Sequence, residues 1–333
     1  MKKKIFALTM AAAMTLGLAA CGSTGASSAS GSAPTSSASG KTYTIGICQL
    51  VQHPALDAAT KGFRDALTEK LGTSVTFDEQ NAAGDSATCA TICNGFVSSK
   101  VDLIMANATA SLQAAAAATD TIPILGTSVT DYGTALNITN WTGTTGSNIT
   151  GTSDLAPLDG QAAMLNELFP DAKNVGILYC SGEANSAYQV KTITPYLEKY
   201  GYTVKSYTFS DSNDVASVAT TACADSDVLY IPTDNTAASC ADTINNVAQP
   251  AGVPIVAGEE GICSKCGVAT LSISYYDLGY ATGEMAYKVL VEGADPSTMD
   301  VQFAPKFTKE YDADRASALG VKIPSDYTAI AAS

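Results

Sequence analysis

From position 41 onward, short apolar runs alternate with longer segments whose apolar positions recur at a helical period. The runs are rich in β-branched residues, as is typical of strands buried on both faces of a parallel sheet. In the first half of the chain the pattern predicts strands at 42–49, 75–80, 101–107 and 122–126, separated by helices at 54–71, 86–99 and 108–118.

A polar break interrupts this alternation at 127–152, which is rich in Thr, Asn and Gly and contains the single tryptophan, Trp141. The alternation then restarts. The second half predicts helices at 157–169, 184–200, 215–224 and 235–249, and strands at 175–179, 203–209, 228–231 and 253–257. The fold class predicted is therefore α/β, with two doubly wound parallel-sheet lobes in tandem.

The end of the chain adds a return to the first lobe. It predicts strands at 268–274 and 300–303 and helices at 276–292 and 312–319. We expect 41–152 plus 275–298 to form the N-terminal lobe and 153–274 plus 299–333 to form the C-terminal lobe. Three chain crossings between lobes restrict their relative motion to closure about a hinge.

The N-terminus has the features of a secretory signal at 1–20, namely three lysines and then an apolar run too short to span a bilayer. The run ends in the tetrapeptide Leu18 to Cys21, which is similar to the lipobox of bacterial lipoproteins. That similarity implies lipidation of Cys21, whereas the alternative is a cleavable signal with an incidental cysteine. Positions 21–40 are mostly Ser, Gly, Ala and Thr, which predicts a flexible linker. We therefore expect a protein anchored to the outer face of the cytoplasmic membrane.

The formal net charge of the whole chain is −14, and removal of the three signal lysines takes it to −17. Such a surface repels nucleic acid and anionic membranes. No nucleic-acid partner is expected.

Eight cysteines remain besides Cys21. Cys89 and Cys93 lie four apart in a predicted helix, where a disulfide is awkward. Cys263 and Cys266 lie in a predicted loop and could form a small disulfide. A zinc site would need further ligands, and the single histidine lies far away in sequence. Buried free thiols without a metal are the interpretation we favour for the others.

The turn after the first strand, Gln49 to Asp57, is polar and leads into a helix that begins at Pro54. In open parallel sheets such turns lie at the carboxyl edge, where helix N-termini and free amides bind ligands. An ordinary surface turn is the alternative. Similar polar turns follow later strands, which favours a binding edge.

Eight segments stand out by their order and spacing, namely the lipobox, 49–57, 148–153, 181–186, 231–236, 259–261, 275–279 and 282–285. Together they resemble substrate-binding proteins of ABC transporters, in the branch that binds tryptophan or tyrosine. The resemblance covers 41–333 and departs from the family mainly in its cysteines, including those at 89 and 93. It implies a type I periplasmic-binding-protein fold, a small-molecule ligand, ABC permease subunits as partners, a monomer and no cofactor.

The chain has only two arginines, Arg64 and Arg315, and both lie in predicted helices. A phosphate or dicarboxylate site would ordinarily use such residues. A single carboxylate can instead be bound by helix N-terminal amides and side-chain hydroxyls. The residues that follow strands and could form such a site are Asn107, Thr109, Ser128 and Thr130.

An amino-acid ligand also needs an acidic partner for its ammonium group. Asp234 is the first candidate, with Glu259 and Asp277 as others. The alternative for Asp234 is a helix N-cap, and both roles are compatible if Asn235 takes the cap. From the first lobe we expect Gln49 and His53 at the ligand, and Ser153, at the start of the second lobe, is a further candidate. Opposite them, the second lobe would contribute Asn185, Ser186, Thr233, Asp234 and Asn235.

Aromatic side chains near predicted loops or strand ends could line the ligand site or simply pack in the core. They are Tyr132, Trp141, Tyr188, Tyr230, Tyr275 and Tyr276. An enzyme of similar fold is disfavoured because the sequence lacks the common nucleophile, phosphate-loop and metalloprotease motifs and has one histidine. A sensory ectodomain is the other alternative. The predicted ligand is a small zwitterion, most simply an aromatic amino acid.

Overall fold

Two sheets form the core of this protein in the computed structural model, which describes residues 41–330. The predicted signal segment, Cys21 and the linker lie outside the described residues. The first sheet has the strand order β11-β5-β4-β3-β1-β2, and all its pairs are parallel. Its strands are β1 (Tyr43–Gln49), β2 (Val75–Asn81), β3 (Leu103–Asn107), β4 (Ile124–Thr127), β5 (Ile149–Ser153) and β11 (Gln302–Phe303).

The second sheet has the order β13-β12-β10-β9-β8-β6-β7 and is parallel except where β12 runs against β10. The α/β fold with two mostly parallel sheets is as predicted. The strands of this sheet are β6 (Asn174–Cys180), β7 (Thr203–Phe209), β8 (Val228–Ile231), β9 (Ile255–Ala257), β10 (Ala269–Ser272), β12 (Thr308–Tyr311) and β13 (Thr328–Ala329).

Helices flank both sheets, since each strand that is buried on two faces needs cover on both sides. Those of the first lobe are α1 (Pro54–Leu71), α2 (Ser86–Ser99), α3 (Thr109–Ala118), α4 (Tyr132–Ala135) and α11 (Tyr275–Tyr287). Those of the second lobe are α5 (Leu158–Leu168), α6 (Ala184–Lys199), α7 (Val215–Asp225), α8 (Asn235–Ser239), α9 (Ala241–Ala251), α10 (Glu260–Cys266) and α12 (Ala313–Ala318).

All of strand β5 except Ser153 lies inside the segment that we predicted as an irregular break. Its residues are Thr, Gly and Ser apart from Ile149, so it lacks the apolar run that indicates a buried strand. Hydroxyl pairs replace apolar contacts there, because Thr127 and Thr152 lie 3.2 Å apart at their Oγ1 atoms. Gly151 allows the close approach to β4, since a Cβ on it would lie 2.0 Å from the Gly126 carbonyl oxygen.

Two other predictions in the second lobe were wrong in detail. The helix predicted at 235–249 is two helices that meet at Cys240, and the loop predicted around Cys263 and Cys266 is helix α10. The short strands β12 and β13, of which β13 lies at the edge of the sheet, were not predicted.

The chain crosses between the lobes at 154–157, 273–274 and 304–307. Helix α11 returns to the first lobe and packs along α1, where Gly279 and Ala59 meet at their backbones. Strand β11 then pairs with β5, so the chain stays with the first sheet to Phe303. This corrects our placement of 299–303 in the second lobe, because a two-residue strand is too short for its sheet to be inferred from sequence. Ser153, which we also assigned to the second lobe, ends β5 of the first sheet.

Candidate functional site

The first-lobe residues predicted to bind a ligand lie together at the carboxyl edge of the first sheet. Asn107 ends β3, Ser128 follows β4, Ser153 ends β5, and His53 precedes α1. All four side chains are buried. Because β1, β3, β4 and β5 are neighbours in the sheet, their ends form one continuous polar edge.

Asn107 is oriented by the hydrogen bonds that it donates to helix α1. Its Nδ2 donates to the Leu56 carbonyl at 2.8 Å and to Thr60 Oγ1 at 2.9 Å, which fixes the amide and leaves Oδ1 as a free acceptor. Thr60 in turn donates to Gln49 Oε1 at 2.6 Å. Gln49 Nε2 is used by Asp57 and a backbone carbonyl, so Gln49 positions Asn107 instead of facing the cleft.

Five buried polar side-chain atoms along this edge have no hydrogen-bond partner among the described residues. An unpaired buried polar atom costs about 1 to 3 kcal/mol, so such atoms are rare and rarely clustered. Their position along one sheet edge makes this edge the candidate site for a polar ligand. The five atoms are His53 Nδ1, Asn107 Oδ1, Thr109 Oγ1, Ser128 Oγ and Asp154 Oδ1.

The backbone at this edge is also unusual. Ala108 has φ of +93° and Ser128 has φ of +54°, a region that non-glycine residues rarely occupy outside functional turns. Ala108 N–H donates to the Thr127 carbonyl at 3.0 Å, which ties the ends of β3 and β4 together. Helix α3 then begins at Thr109, so its positive N-terminal end lies beside the free hydroxyls.

Asp154 is the acidic residue of this edge, and sequence reasoning missed it. It directly follows β5, is 4% exposed, and accepts a hydrogen bond from the Tyr275 hydroxyl at 3.1 Å. Burial raises the pKa of this carboxyl to about 6, which the nearby hydroxyls of Thr130 and Tyr275 offset only in part. The signal that could have found it is an Asp after a strand, but β5 itself was not recognised.

Thr130 and Ser153 lie beside Asp154 and are joined by a hydrogen bond, in which Ser153 Oγ donates to the Thr130 carbonyl at 2.8 Å.

Asp234, our first candidate for the ammonium partner, has both oxygens engaged within the second lobe. One accepts from Ala237 N–H at 2.7 Å, as a helix N-cap does, and the other accepts from Cys180 N–H and Ser186 Oγ, both at 2.7 Å. Burial and the charge of Glu183 raise its pKa. The structure supports the N-cap alternative for Asp234, and Asn235 does not take that cap.

The remaining second-lobe candidates form one intralobe network. Asn185 Nδ2 donates to Glu183 Oε2 at 3.0 Å and to the Thr233 carbonyl at 3.1 Å. Gln189 Nε2 donates to the same Thr233 carbonyl, and Gln189 Oε1 accepts from the Thr233 N–H. Glu183, which the sequence did not single out, also accepts from the backbone N–H groups of Asn235 and Thr236. This network orders the face of the second lobe that contacts His53 through Asn235.

His53 connects the two lobes. Its Nε2 lies 3.3 Å from Asn235 Oδ1, and both residues are buried. Burial lowers the pKa of His53, and the hydrogen bond to Asn235 only partly opposes that effect.

Glu259 and Asp277 carry none of the five unpartnered atoms. Glu259 caps α10 through Gly261 and Ile262, and burial raises its pKa to about 7. It borders an interlobe cavity of about 360 Å³ that also contacts Tyr275. Asp277 is exposed in the first turn of α11 and borders a smaller hinge cavity of about 170 Å³.

The sequence matches the family model described as ABC transporter substrate binding protein over residues 44–333. The chain belongs to this family. Its members are binding proteins that work outside the cytoplasm with a small-molecule ligand and ABC permease subunits. The prediction of a substrate-binding protein, and not an enzyme, is therefore confirmed.

The "Tyrosine-binding protein" of Clostridioides difficile is 38% identical over 292 residues, which cover 86% of this chain and 84% of that one. The crystal structure of an ABC domain in complex with L-Trp from Streptococcus pneumoniae is 33% identical, with a TM-score of 0.82, and covers 86% of this chain and 97% of the other. A conserved domain protein from Vibrio cholerae is 32% identical with a TM-score of 0.83, over 87% and 99% of the two chains.

A ligand-free, open substrate-binding protein from Clostridium difficile is 38% identical over 86% of this chain and 99% of that one, yet its TM-score is only 0.66. The chain described here therefore superposes better on the L-Trp complex than on this open structure, although its sequence is more similar to that of the open protein. In this chain the two lobes are in contact through the buried pair His53 and Asn235.

The aromatic candidates of this substrate-binding protein divide by location. Tyr132 and Tyr230 belong to the cores of the first and second lobes, and Trp141 stacks on Tyr132 with ring centres 6.1 Å apart. Tyr275 faces Asp154 at the cleft, as described above. Tyr276 donates its hydroxyl to Asp65 on helix α1, and Tyr188 is partly buried on α6.

The eight cysteines in the described part of the chain are free thiols, and seven of them are buried. Cys263 and Cys266 do not form the disulfide that a loop would have allowed. Between residues 41 and 330, no helix is long and apolar enough to cross a membrane.

Proposed function

We propose that this protein binds an aromatic amino acid as its zwitterion between the two lobes and delivers it to an ABC permease. The relatives with names or ligands that denote tyrosine and tryptophan support this choice of substrate class. The observation that carries the proposal is the cluster of five unpartnered polar atoms at the edge of the first sheet.

The chemistry of the five atoms suits the two ends of an amino acid. Asp154 Oδ1 is a charged acceptor, so it would bind the ammonium group. The hydroxyls of Thr109 and Ser128 can donate, and with the N-terminal end of α3 they would bind the carboxylate. Asp154 therefore replaces Asp234 in our assignment of the ammonium partner.

The arginines of the protein serve other purposes, which fits a carboxylate bound by neutral donors. Arg64 pairs with Glu79 on the surface at 2.9 Å. Arg315 binds carbonyl oxygens at the end of helix α10. Neither guanidinium is available for a phosphate or a second carboxylate, so a ligand with one carboxylate is favoured.

A simple energy comparison favours an amino acid over a hydrocarbon. Burying an aromatic side chain of about 200 Å² contributes about 5 kcal/mol at about 25 cal/mol/Å². A micromolar site requires about 8 kcal/mol after the costs of association. The two charged ends must therefore supply the remainder.

The decisive experiment is calorimetry with L-tryptophan and L-tyrosine beside analogues that lack one charge. Tryptamine lacks the carboxylate, and indole-3-propionate lacks the ammonium. We expect at least one amino acid to bind at micromolar concentration and both analogues to bind at least 100-fold more weakly. Absence of binding by any aromatic amino acid, or equal binding of an analogue, would refute the proposal.

Membrane anchoring through lipid on Cys21 is the second part of the proposal, and it is supported by the tetrapeptide Leu18 to Cys21. The protein would act as a monomer on the outer face of the cytoplasmic membrane. Substitution Cys21→Ser should release the protein from the membrane fraction and abolish labelling by a radioactive fatty acid. Retention of the variant in that fraction would contradict lipid anchoring.

A further inference from the structure

The hydrogen bond between His53 and Asn235 has a defined direction. Asn235 Nδ2 donates to Glu183 Oε2 at 2.7 Å, and a carboxylate can only accept. Oδ1 of Asn235 must therefore face His53 Nε2, 3.3 Å away. Because Oδ1 is an acceptor, the proton of the neutral imidazole lies on Nε2.

The position of Glu183 prevents this arrangement from reversing. Its carboxylate also accepts from the N–H groups of Asn235 at 3.0 Å and Thr236 at 2.8 Å, and from Thr236 Oγ1 at 2.7 Å. These donors hold the carboxylate at the start of helix α8. Rotation of the Asn235 amide would place an oxygen against it, so the tautomer of His53 is fixed from the second lobe.

The other ring nitrogen, Nδ1, is then an acceptor without a proton. It is buried and has no partner in the described part of the chain. The same burial that lowers the pKa of His53 keeps the ring neutral, so Nδ1 does not become a donor at neutral pH. A buried lone acceptor requires a donor from the ligand if it is to be satisfied.

We infer, resting on the proposed function, that Nδ1 of His53 accepts a hydrogen bond from the ligand side chain and so selects tryptophan or tyrosine over phenylalanine. The indole N–H and the phenol O–H are donors at the far end of an aromatic side chain, whereas phenylalanine has none. His53 is then a specificity-determining residue that Asn235 and Glu183 orient.

The geometry of the sheet separates this acceptor from the proposed ammonium site. His53 follows β1 and Asp154 follows β5, with β3 and β4 between them. The ends of β1 and β5 lie three strand spacings apart, about 14 Å. The acceptor on His53 and the proposed ammonium site therefore belong to different parts of the edge, as the two ends of an aromatic amino acid require.

The expected discrimination follows from the cost of an unpaired buried acceptor. A penalty in the usual range for such groups corresponds to a loss of about 5- to 150-fold in affinity. A site that hydrogen-bonds a ligand donor rejects the analogue that lacks it for this reason.

The affinity test compares ligands that differ by the donor alone. Tyrosine is measured against phenylalanine, and tryptophan against 1-methyl-L-tryptophan, in the natural protein, in His53→Leu and in the control Gln52→Leu. Gln52 lies in the same turn but is exposed. We expect at least a tenfold preference for the donor-bearing member of one pair in the natural protein and the control, and less than a threefold preference in His53→Leu.

The single histidine of the chain allows a second test that needs no substitution. In protein without a histidine tag, nitrogen-15 NMR reports both ring nitrogens of His53 without ambiguity. We expect the Nε2–H tautomer throughout, with the Nδ1 resonance shifted by tyrosine or tryptophan but not by phenylalanine. A preference unchanged in His53→Leu, or an Nδ1 resonance that no bound donor shifts, would overturn the inference alone. Absence of binding by any aromatic amino acid would overturn the proposed function with it.

Discussion

The Asp154 carboxylate accepts a hydrogen bond from the Tyr275 hydroxyl across 3.1 Å. Asp154 begins the first crossing between the lobes, and Tyr275 directly follows the second crossing. Nearby, the hydroxyls of Thr152 and Thr282 lie 2.8 Å apart. The acidic group that we propose for the ligand ammonium is therefore built into the hinge, so binding there would act directly on the segments that govern closure.

Replacement of this acid tests its role. Asp154→Asn keeps the shape of the side chain and its contact with Tyr275 but removes the charge. We expect affinity for the amino acid to fall about 10- to 100-fold, since hydrogen bonds to charged groups contribute about 1.5 to 3 kcal/mol. Calorimetry measures the loss. Asp277→Asn, at an exposed position on α11, is the matched control and should leave affinity unchanged. Equal affinities of the two variants would exclude Asp154 as the ammonium partner.

Affinity should also depend on pH in a definite direction. Burial raises the pKa of Asp154 to about 6 in the ligand-free protein, and a bound ammonium would lower it again by favouring the ionised form. Binding below pH 6 therefore releases a proton, so affinity should decrease about tenfold from pH 7 to pH 5. His53, whose pKa is lowered by burial, is already neutral near pH 7. Calorimetry in two buffers of different ionisation enthalpy would count the protons released.

The same shift affects the stability of the ligand-free protein in the opposite sense. The folded state binds a proton at Asp154 more readily than the unfolded chain, so this group's contribution declines as pH rises from about 4 to 6. Glu259, whose pKa is raised to about 7, extends the decline in stability toward neutral pH.

In Asp154→Asn the pH dependence of ligand affinity should flatten. A slope that persists in that variant would assign the effect to another group.

Part of the candidate site could be predicted from sequence. Ligands bind at the carboxyl edge of a parallel sheet, so the positions where strands end are enough to identify candidate residues. Asn107 and Ser128 follow apolar strands, so their position was readable. Asp154 follows a strand made of Thr and Gly, which carries no apolar signal, and so it was missed. Asp234 was our first candidate for the ammonium partner, with a helix N-cap as the alternative. An acidic residue after a strand and before a helix is consistent with both roles. Only the hydrogen-bond partners distinguish the two.

Arg315 illustrates a contact that no local pattern reveals. Its guanidinium donates to four carbonyl oxygens at the end of α10, in Cys263, Ser264, Lys265 and Gly267, at 2.7 to 3.1 Å. It also pairs with Asp312 at 2.9 Å. The donor is 52 residues from Cys263 along the chain, so sequence reasoning saw only a loop with two cysteines where the structure has a capped helix.

Arg315→Gln should therefore destabilise the protein by at least about 2 kcal/mol, since several helix-end carbonyls lose a charged donor together. The measurement is urea unfolding followed by circular dichroism. Arg64→Gln removes a surface ion pair with Glu79 and should cost less than about 1 kcal/mol. Similar losses in the two variants would show that the guanidinium at α10 is no more important than a surface charge.

Helices α1 and α11 approach so closely that only glycine fits between their backbones. A Cβ on Gly279 would lie 1.9 Å from the Ala59 carbonyl oxygen, and one on Gly62 would lie 2.1 Å from the Tyr276 carbonyl oxygen. Both obstacles are backbone atoms in regular helices, which cannot move aside as a flexible side chain can. The returning helix is held to the first lobe by this contact, so it determines where the second crossing ends.

Gly279→Ala should accordingly destabilise the fold by at least about 2 kcal/mol through overpacking, although alanine is the better helix former. Gly95→Ala in α2 is the matched control, because no heavy atom lies within 4 Å of its added methyl group. There the gain in helix propensity acts alone and should stabilise the protein by about 0.5 to 1 kcal/mol. Urea unfolding of both variants gives opposite signs if helix α11 packs as described. A stabilised Gly279→Ala would mean that the two helices are farther apart in solution.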